Sequence, residues 1–163
     1  MEIEIAQPNQ LHIIQKLALE IWPSTYHNII SKQQIDYMLS QMYNLPTLTE
    51  QWHCNHTFLM FKNNAQYIGF AHYQINFNSN HDAKLHKLYL LANLQGKGFG
   101  KKGLNYIIHE VRTANQKSLI LNVNKNNSAF EFYKKIGFTI LTEEVLDIGN
   151  GFVMDDYVLQ ITF

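Results

Sequence analysis

"NLQGKGFGKKGL", residues 93–104, places glycines at 96, 98, 100 and 103. Gly98, Gly100 and Gly103 form a Gly-x-Gly-x-x-Gly series, which cradles dinucleotide phosphates when a strand precedes it and a helix follows. Both flanks fit. "KLHKLYLL" (84–91) reads as a strand, and Leu104, Ile107, Ile108 and Val111 recur as the stripe of an amphipathic helix. A dinucleotide fold also needs an acidic residue about 20 positions on, at the end of the next strand, to hold the ribose. That strand, "SLILNVN" (118–124), offers Asn122 and Asn124 instead. Only 60 residues follow Gly103, and they hold one short helix and three strands. A doubly wound sheet does not fit, and no Gly-Lys-Ser or Gly-Lys-Thr supports a Walker loop. What remains is a helix N-terminus whose amides and dipole attract an anion, with Lys97, Lys101 and Lys102 adding positive charge.

The rest of the chain fills in a mixed α/β domain. "MEIEIA" alternates as a short strand, and Leu11, Ile14, Ala18 and Ile21 mark a helix expected to stop at Pro23. Ser31 and Gln34 are spaced as a capping box ahead of Ile35, Met38, Leu39 and Met42. "TFLMF" (57–61) and "YIGFAHYQI" (67–75) read as a hairpin with its turn at Asn63-Asn64. "NNSAFEFYKKIGF" is a short helix ended by Gly137 in a left-handed cap. Two strands, roughly 138–146 and 153–162, close around Gly149-Asn150-Gly151. The expected order is β-αα-βββ-α-β-α-ββ: about seven strands flanked by about four helices, in one domain over residues 1–163.

Composition narrows the function. Thirteen basic residues balance thirteen acidic ones, which argues against nucleic-acid binding. The single cysteine, Cys54, excludes an internal disulfide and fits a reducing compartment. The N-terminal "MEIEIA" carries acids where a signal peptide needs basic residues, and no stretch approaches the ~20 apolar residues of a membrane span. A cytoplasmic, non-membrane protein is expected. "HCNH" (53–56) brings His53, Cys54 and His56 together, but the spacing matches no zinc pattern, so no metal is expected.

Two segments in register point to one family. "QGKGFG" fits Gln/Arg-x-x-Gly-x-Gly/Ala, and Asn126, Ala129, Phe132, Tyr133, Lys135, Gly137 and Phe138 fit Asn-x-x-Ala-x-x-Phe-Tyr-x-Lys-x-Gly-Phe. The chain resembles the GCN5-related N-acetyltransferases (GNAT), which read these segments as an acetyl-CoA diphosphate loop and the helix behind it. Ala92 stands where many relatives carry proline, a difference in turn stiffness. "LHKLYLL", "IWPSTY", "IDYMLSQMY" and "DIGNGFVMDDYVL" further resemble a bacterial branch that includes spermidine and spermine acetyltransferases.

The resemblance implies direct transfer of an acetyl group from acetyl-CoA to a small-molecule primary amine, with a polyamine as one candidate. It places pantetheine against the backbone of Leu88, Tyr89 and Leu90, and the diphosphate on the loop of Gln95, Gly96, Lys97, Gly98, Phe99, Gly100 and Lys101. Asn126 and Lys135 join the cofactor-binding set, although Asn126 reads equally as a helix cap, in competition with Ser128. Tyr133 falls where the family's general acid protonates the departing thiolate. The strand before the loop has no acid to serve as base, which leaves His86 and His72, or water, as candidates. Trp22, Tyr26 and His27 are the acceptor-site candidates, and Asp147, Asp155 and Asp156 could attract a polycation. A protein N-terminus, a lysine or an aminoglycoside are alternative acceptors. A non-catalytic acyl-CoA sensor and a dimerisation module that binds no CoA are the alternatives of a different kind. A homodimer is the assembly considered.

Overall fold

A computed structural model describes residues 1–163. Its seven strands form one sheet in the order β1-β2-β3-β4-β5-β7-β6. They are β1 (Glu2–Ile5), β2 (Thr57–Asn63), β3 (Gln66–Gln74), β4 (Asp82–Leu90), β5 (Ser118–Asn124), β6 (Thr139–Gly149) and β7 (Phe152–Thr162). The helices are α1 (Leu11–Tyr26), α2 (Lys32–Met42), α3 (Leu45–His53), α4 (Phe99–Thr113) and α5 (Ala129–Ile136). The sheet and the element order match expectation except for α3, a fifth helix. Asn44 caps it by accepting the Thr47 N–H at 2.8 Å, and Pro46 sits in its first turn.

Local sequence explains most boundaries. Leu11, Ile14, Ala18 and Ile21 bury the inner face of α1 as their spacing requires. Pro23 does not end α1, which runs on to Tyr26. Proline removes one donor but its fixed φ is helical, and the hydroxyls of Ser24 and Thr25 both donate to the Ile21 carbonyl. Ser31 caps α2 through the Gln34 N–H, as its spacing implies. The Gln34 side chain completes no box; it donates to the Val153 carbonyl at 2.7 Å and ties α2 to β7. The hairpin turn lies one residue later than expected, at Asn64 and Ala65, both at positive φ between the paired Asn63 and Gln66. Gly137 caps α5 at φ 113° in the left-handed region.

Two irregularities shape the site. β4 and β5 pair in parallel only from Asp82–Leu85 to Ser118–Leu121, and then part. β3 and β4 change register between His72↔Lys87 and Tyr73↔Leu85, so His86 is an extra residue bulged out of β4. The parted strands open a cleft, and the bulge turns neighbouring β4 side chains toward the same region.

Candidate active site

The glycine loop has the geometry of an anion cradle. Gly96 and Gly98 adopt φ of 74° and 83°, a left-handed backbone that disfavours any side chain. Gly98 is the N-cap of α4, and the first bond across its opening turn runs from the Lys102 N–H to the Gly98 carbonyl at 3.0 Å. The amides of Phe99, Gly100 and Lys101 therefore have no partner within the helix. Gly103 serves packing: a Cβ there would stand 2.6 Å from Cζ of the fully buried Phe61. Gln95, Gly96, Lys97 and Lys101 are exposed on the loop, and the Gln95 amide reaches the Leu90 carbonyl at 3.4 Å.

The cleft between the parted strands has a volume of about 300 Å³. Leu88, Tyr89 and Tyr133 line it together with Trp22, Tyr26 and Tyr43. These aromatic groups hold one another in place. Trp22 Nε1 donates to the Tyr43 hydroxyl at 3.0 Å, and the Tyr26 and Tyr89 hydroxyls share a bond at 2.9 Å. Burial pushes the Tyr133 phenol above its ordinary range, so it keeps its proton.

The far wall is polar. Asn122, Asn124 and Asn127 line it with Glu144 and Asp156. Asn122 donates to Glu144 at 2.9 Å, while Asn122 Oδ1 and Asp156 Oδ1 are buried without any donor. Burial pushes the Asp156 carboxyl up to about 6 and the neighbouring carboxylates of Glu144 and Asp155 add to the effect, while the Asn122 amide and the Lys84 ammonium, both on the cleft wall, pull it back down. The other two acids weighed for polycation attraction lie elsewhere. Asp147 accepts the Gly149 N–H on the exposed hairpin, and Asp155 pairs with Lys125 at 2.7 Å.

Several sequence candidates fall outside the cleft. His27 is exposed and bonds the Ser24 carbonyl. Asn126 and Lys135 are exposed, and neither Asn126 nor Ser128 caps α5: Asn127 Oδ1 takes the Ala129 N–H at 2.9 Å. His72 is fully buried, and burial holds its imidazole well below the usual histidine range. His86 borders the cleft, and burial lowers it to about 3. Both rings are therefore neutral near pH 7. His56 leaves the exposed His53 and Cys54 and instead joins these two, with ring nitrogens of His56, His72 and His86 all within 4.8 Å.

Lys87 escaped the sequence reading. It is 5% exposed on the cleft wall, with its ammonium 4.9 Å from the Tyr43 ring centroid and 3.3 Å from His72 Nδ1. Simple alternation hides it: the extra residue His86 breaks the period of β4, so Leu85 and Lys87 pair with Tyr73 and His72, adjacent residues that point to opposite faces.

Comparison with known proteins agrees with this geometry. The family profile "Acetyltransferase (GNAT) family" matches residues 16–138. A [Ribosomal protein bS18]-alanine N-acetyltransferase from Haemophilus influenzae is 39% identical over 75 residues, covering 46% of this chain and 49% of that protein, about half its length. The crystal structure of PaiA N-acetyltransferase from Thermoplasma acidophilum in complex with coenzyme A superposes with a TM-score of 0.81 at 26% identity, covering 100% of both chains. A GCN5-related N-acetyltransferase from Rhodopseudomonas palustris shares the fold at a TM-score of 0.82 and 14% identity, over 99% of this chain and 95% of that one. With the diphosphate-type loop, the parted strands and a profile match across most of its length, the chain belongs to the GNAT family of acetyl-CoA-dependent acyltransferases.

Proposed function

We propose that the protein transfers the acetyl group of acetyl-CoA directly to a primary amine of a small cationic molecule, with polyamines as the acceptor class. The observation that carries the amine reading is the pair of buried acceptors without donors, Asp156 Oδ1 and Asn122 Oδ1, on the cleft wall. A buried acceptor left unmade costs about 1–3 kcal/mol, and an ammonium group brings three donors and a charge that suits Asp156. Trp22 and Tyr26 line the same cleft and give the acceptor's carbon chain an apolar surface.

Acetyl-CoA fits the opposite flank. Beyond Leu85 the β5-facing edge of β4 is unpaired, so pantetheine can bond the backbone of Leu88, Tyr89 and Leu90 as an added strand. The amides from Gly96 to Lys101 would take the diphosphate, with Gln95 bracing the loop. Tyr133, still protonated, would donate to the departing thiolate. The Tyr133→Phe variant should lose about 100-fold in kcat while binding acetyl-CoA as before.

One observation favours a second acceptor, the N-terminal alanine of a protein: the partial match to the Haemophilus influenzae enzyme. Thiol release from acetyl-CoA, measured against spermidine, putrescine, an aminoglycoside, free lysine and an alanine-terminated peptide, decides between them. Preference for the polyamines supports the proposal. Preference for the peptide replaces it, and acetyl-CoA binding without turnover on any amine points to a sensor.

A further inference from the structure

Acetylation of an ammonium group releases one net proton: R–NH3⁺ and acetyl-CoA become R–NH–acetyl, CoA thiol and H⁺. The new N–C bond forms from the nitrogen lone pair as the C–S bond breaks, so the amine must first lose a proton inside the cleft. Asp156 and Glu144 face the ammonium from the far wall. An exit is needed, and the bulge of β4 supplies one.

We infer that Lys87, His72 and His56 form a proton wire that takes the acceptor's proton from the cleft to solvent, with Lys87 as the general base. This inference rests on the amine-acetyltransferase reading. Lys87 lines the cleft, and its Nζ stands 3.3 Å from His72 Nδ1. His72 Nε2 lies 2.7 Å from His56 Nδ1. His56 Nε2 bonds nothing within the protein and is not among the buried side-chain atoms left without a partner, so it meets solvent. His72 reaches Lys87 because the two are register partners on β3 and β4.

Donor and acceptor roles follow from chemistry. A lysine ammonium only donates, so His72 Nδ1 accepts and its Nε2 carries hydrogen. That Nε2–H donates to His56 Nδ1, which places the His56 hydrogen on Nε2, facing water. Neutral Lys87 takes a proton from the substrate ammonium and delivers one to His72 Nδ1. In the same concerted movement His72 passes its Nε2 proton to His56 Nδ1 and His56 releases its Nε2 proton, so neither ring becomes an imidazolium. Rotation of the two rings restores the starting tautomers.

The surroundings suit this role. The titratable groups that face Lys87 are His72 from β3, His86 from β4, His56 at the entry to β2 and Tyr43 beyond α2. None of the chain's ion pairs involves Lys87, and its other hydrogen bond is to Gln51 on α3 at 3.4 Å. Burial lowers its ammonium to about 8, where a base works near neutral pH. Burial also keeps both relay imidazoles neutral, the form that can accept and pass a proton. A metal ion at the three histidines fits less well. Two nitrogens on a tetrahedral zinc stand about 3.3 Å apart, wider than the 2.7 Å contact here, and a cation occupies the remaining nitrogen of His72.

Two measurements test the wire. Long-range ¹H–¹⁵N correlation of the imidazoles at pH 7 needs no substrate, and it should place hydrogen on Nε2 of both His72 and His56. Hydrogen on His72 Nδ1 overturns the wire whatever the enzyme acetylates. The second compares pH–rate profiles of wild type, Lys87→Met and His56→Asn, using whichever amine the wild type acetylates. In His56→Asn the amide oxygen can still accept from His72 but cannot pass the proton on. We expect kcat to fall about 10-fold in His56→Asn and recover with added imidazole. In Lys87→Met it should fall about 100-fold and lose the rise through pH 8, with KM for acetyl-CoA unchanged in both. Wild-type kcat and pH profile in Lys87→Met overturn the assignment. A wild type that acetylates no amine refutes the acceptor reading instead, and the tautomer result still decides the wire's geometry.

Discussion

Replacing Lys87 by methionine should stabilise the protein at pH 7, and the gain should disappear at high pH. Lys87 is 5% exposed and has no carboxylate partner, so folding strips water from its ammonium without an ion pair in return. Its folded pKa is about 8 against an ordinary 10.5. The unfolded chain therefore binds more protons between pH 8 and 10.5, and stability rises across that window. Below pH 8 the full cost is present. At about 1.4 kcal/mol per pH unit, the gap amounts to about 3 kcal/mol. The hydrogen bonds to His72 and Gln51, at 3.3 and 3.4 Å, and the contact with the Tyr43 ring offset part of this. Methionine keeps the apolar stem in its slot. Urea unfolding followed by tryptophan fluorescence should give Lys87→Met an advantage of about 1–3 kcal/mol at pH 7 that shrinks toward zero by pH 10.5. Groups remote from Lys87 act equally on both proteins and cancel in the difference, and the histidines that feel its charge are lowered further from this window. A difference between the two that stays constant from pH 7 to 10.5 would refute the reasoning.

Gly103→Ala should lower stability by about 1–3 kcal/mol in thermal melts, because its Cβ would stand 2.6 Å from the ring of Phe61, which is fully buried and cannot swing aside. A variant as stable as wild type would mean the α4–β2 contact is looser than described. Asp156→Asn keeps shape but removes charge, and it should raise KM for a cationic amine at least ~10-fold while leaving KM for acetyl-CoA alone. In the wild type the same carboxylate should protonate as pH falls through about 6, so amine KM should climb there and stay flat in the variant. Matching pH profiles for the two would remove Asp156 from the acceptor site.

The fold was legible because its signals are local. The glycine loop, the α4 stripe, the Ser31 cap and the "FYKKIGF" segment each act within a few residues, and each stands where its chemistry puts it. The α3 helix was missed although Asn44 and Pro46 mark its start, because its apolar stripe is thin: only Leu48 is fully buried. Pro23 misled as a stop, since proline costs one donor and neighbouring packing outweighs that cost. The site was only half visible. Trp22, Tyr26, Tyr89 and Tyr133 reach the cleft, but His27, Asn126 and Lys135 do not. The groups that set its electrostatics depend on long-range register. His72 meets Lys87 only through β3–β4 pairing, His56 joins them across the sheet, and Asp156 faces the cleft because it pairs opposite Asn124. Separations of this kind leave no spacing motif in a single sequence.

The most direct test is mass spectrometry of the products formed from isotope-labelled acetyl-CoA in a mixture of spermidine and an alanine-terminated peptide. The account predicts label on a primary amine of spermidine, with one CoA thiol released per acetyl transferred. Label confined to the peptide, or no labelled spermidine at all, would contradict the acceptor assignment.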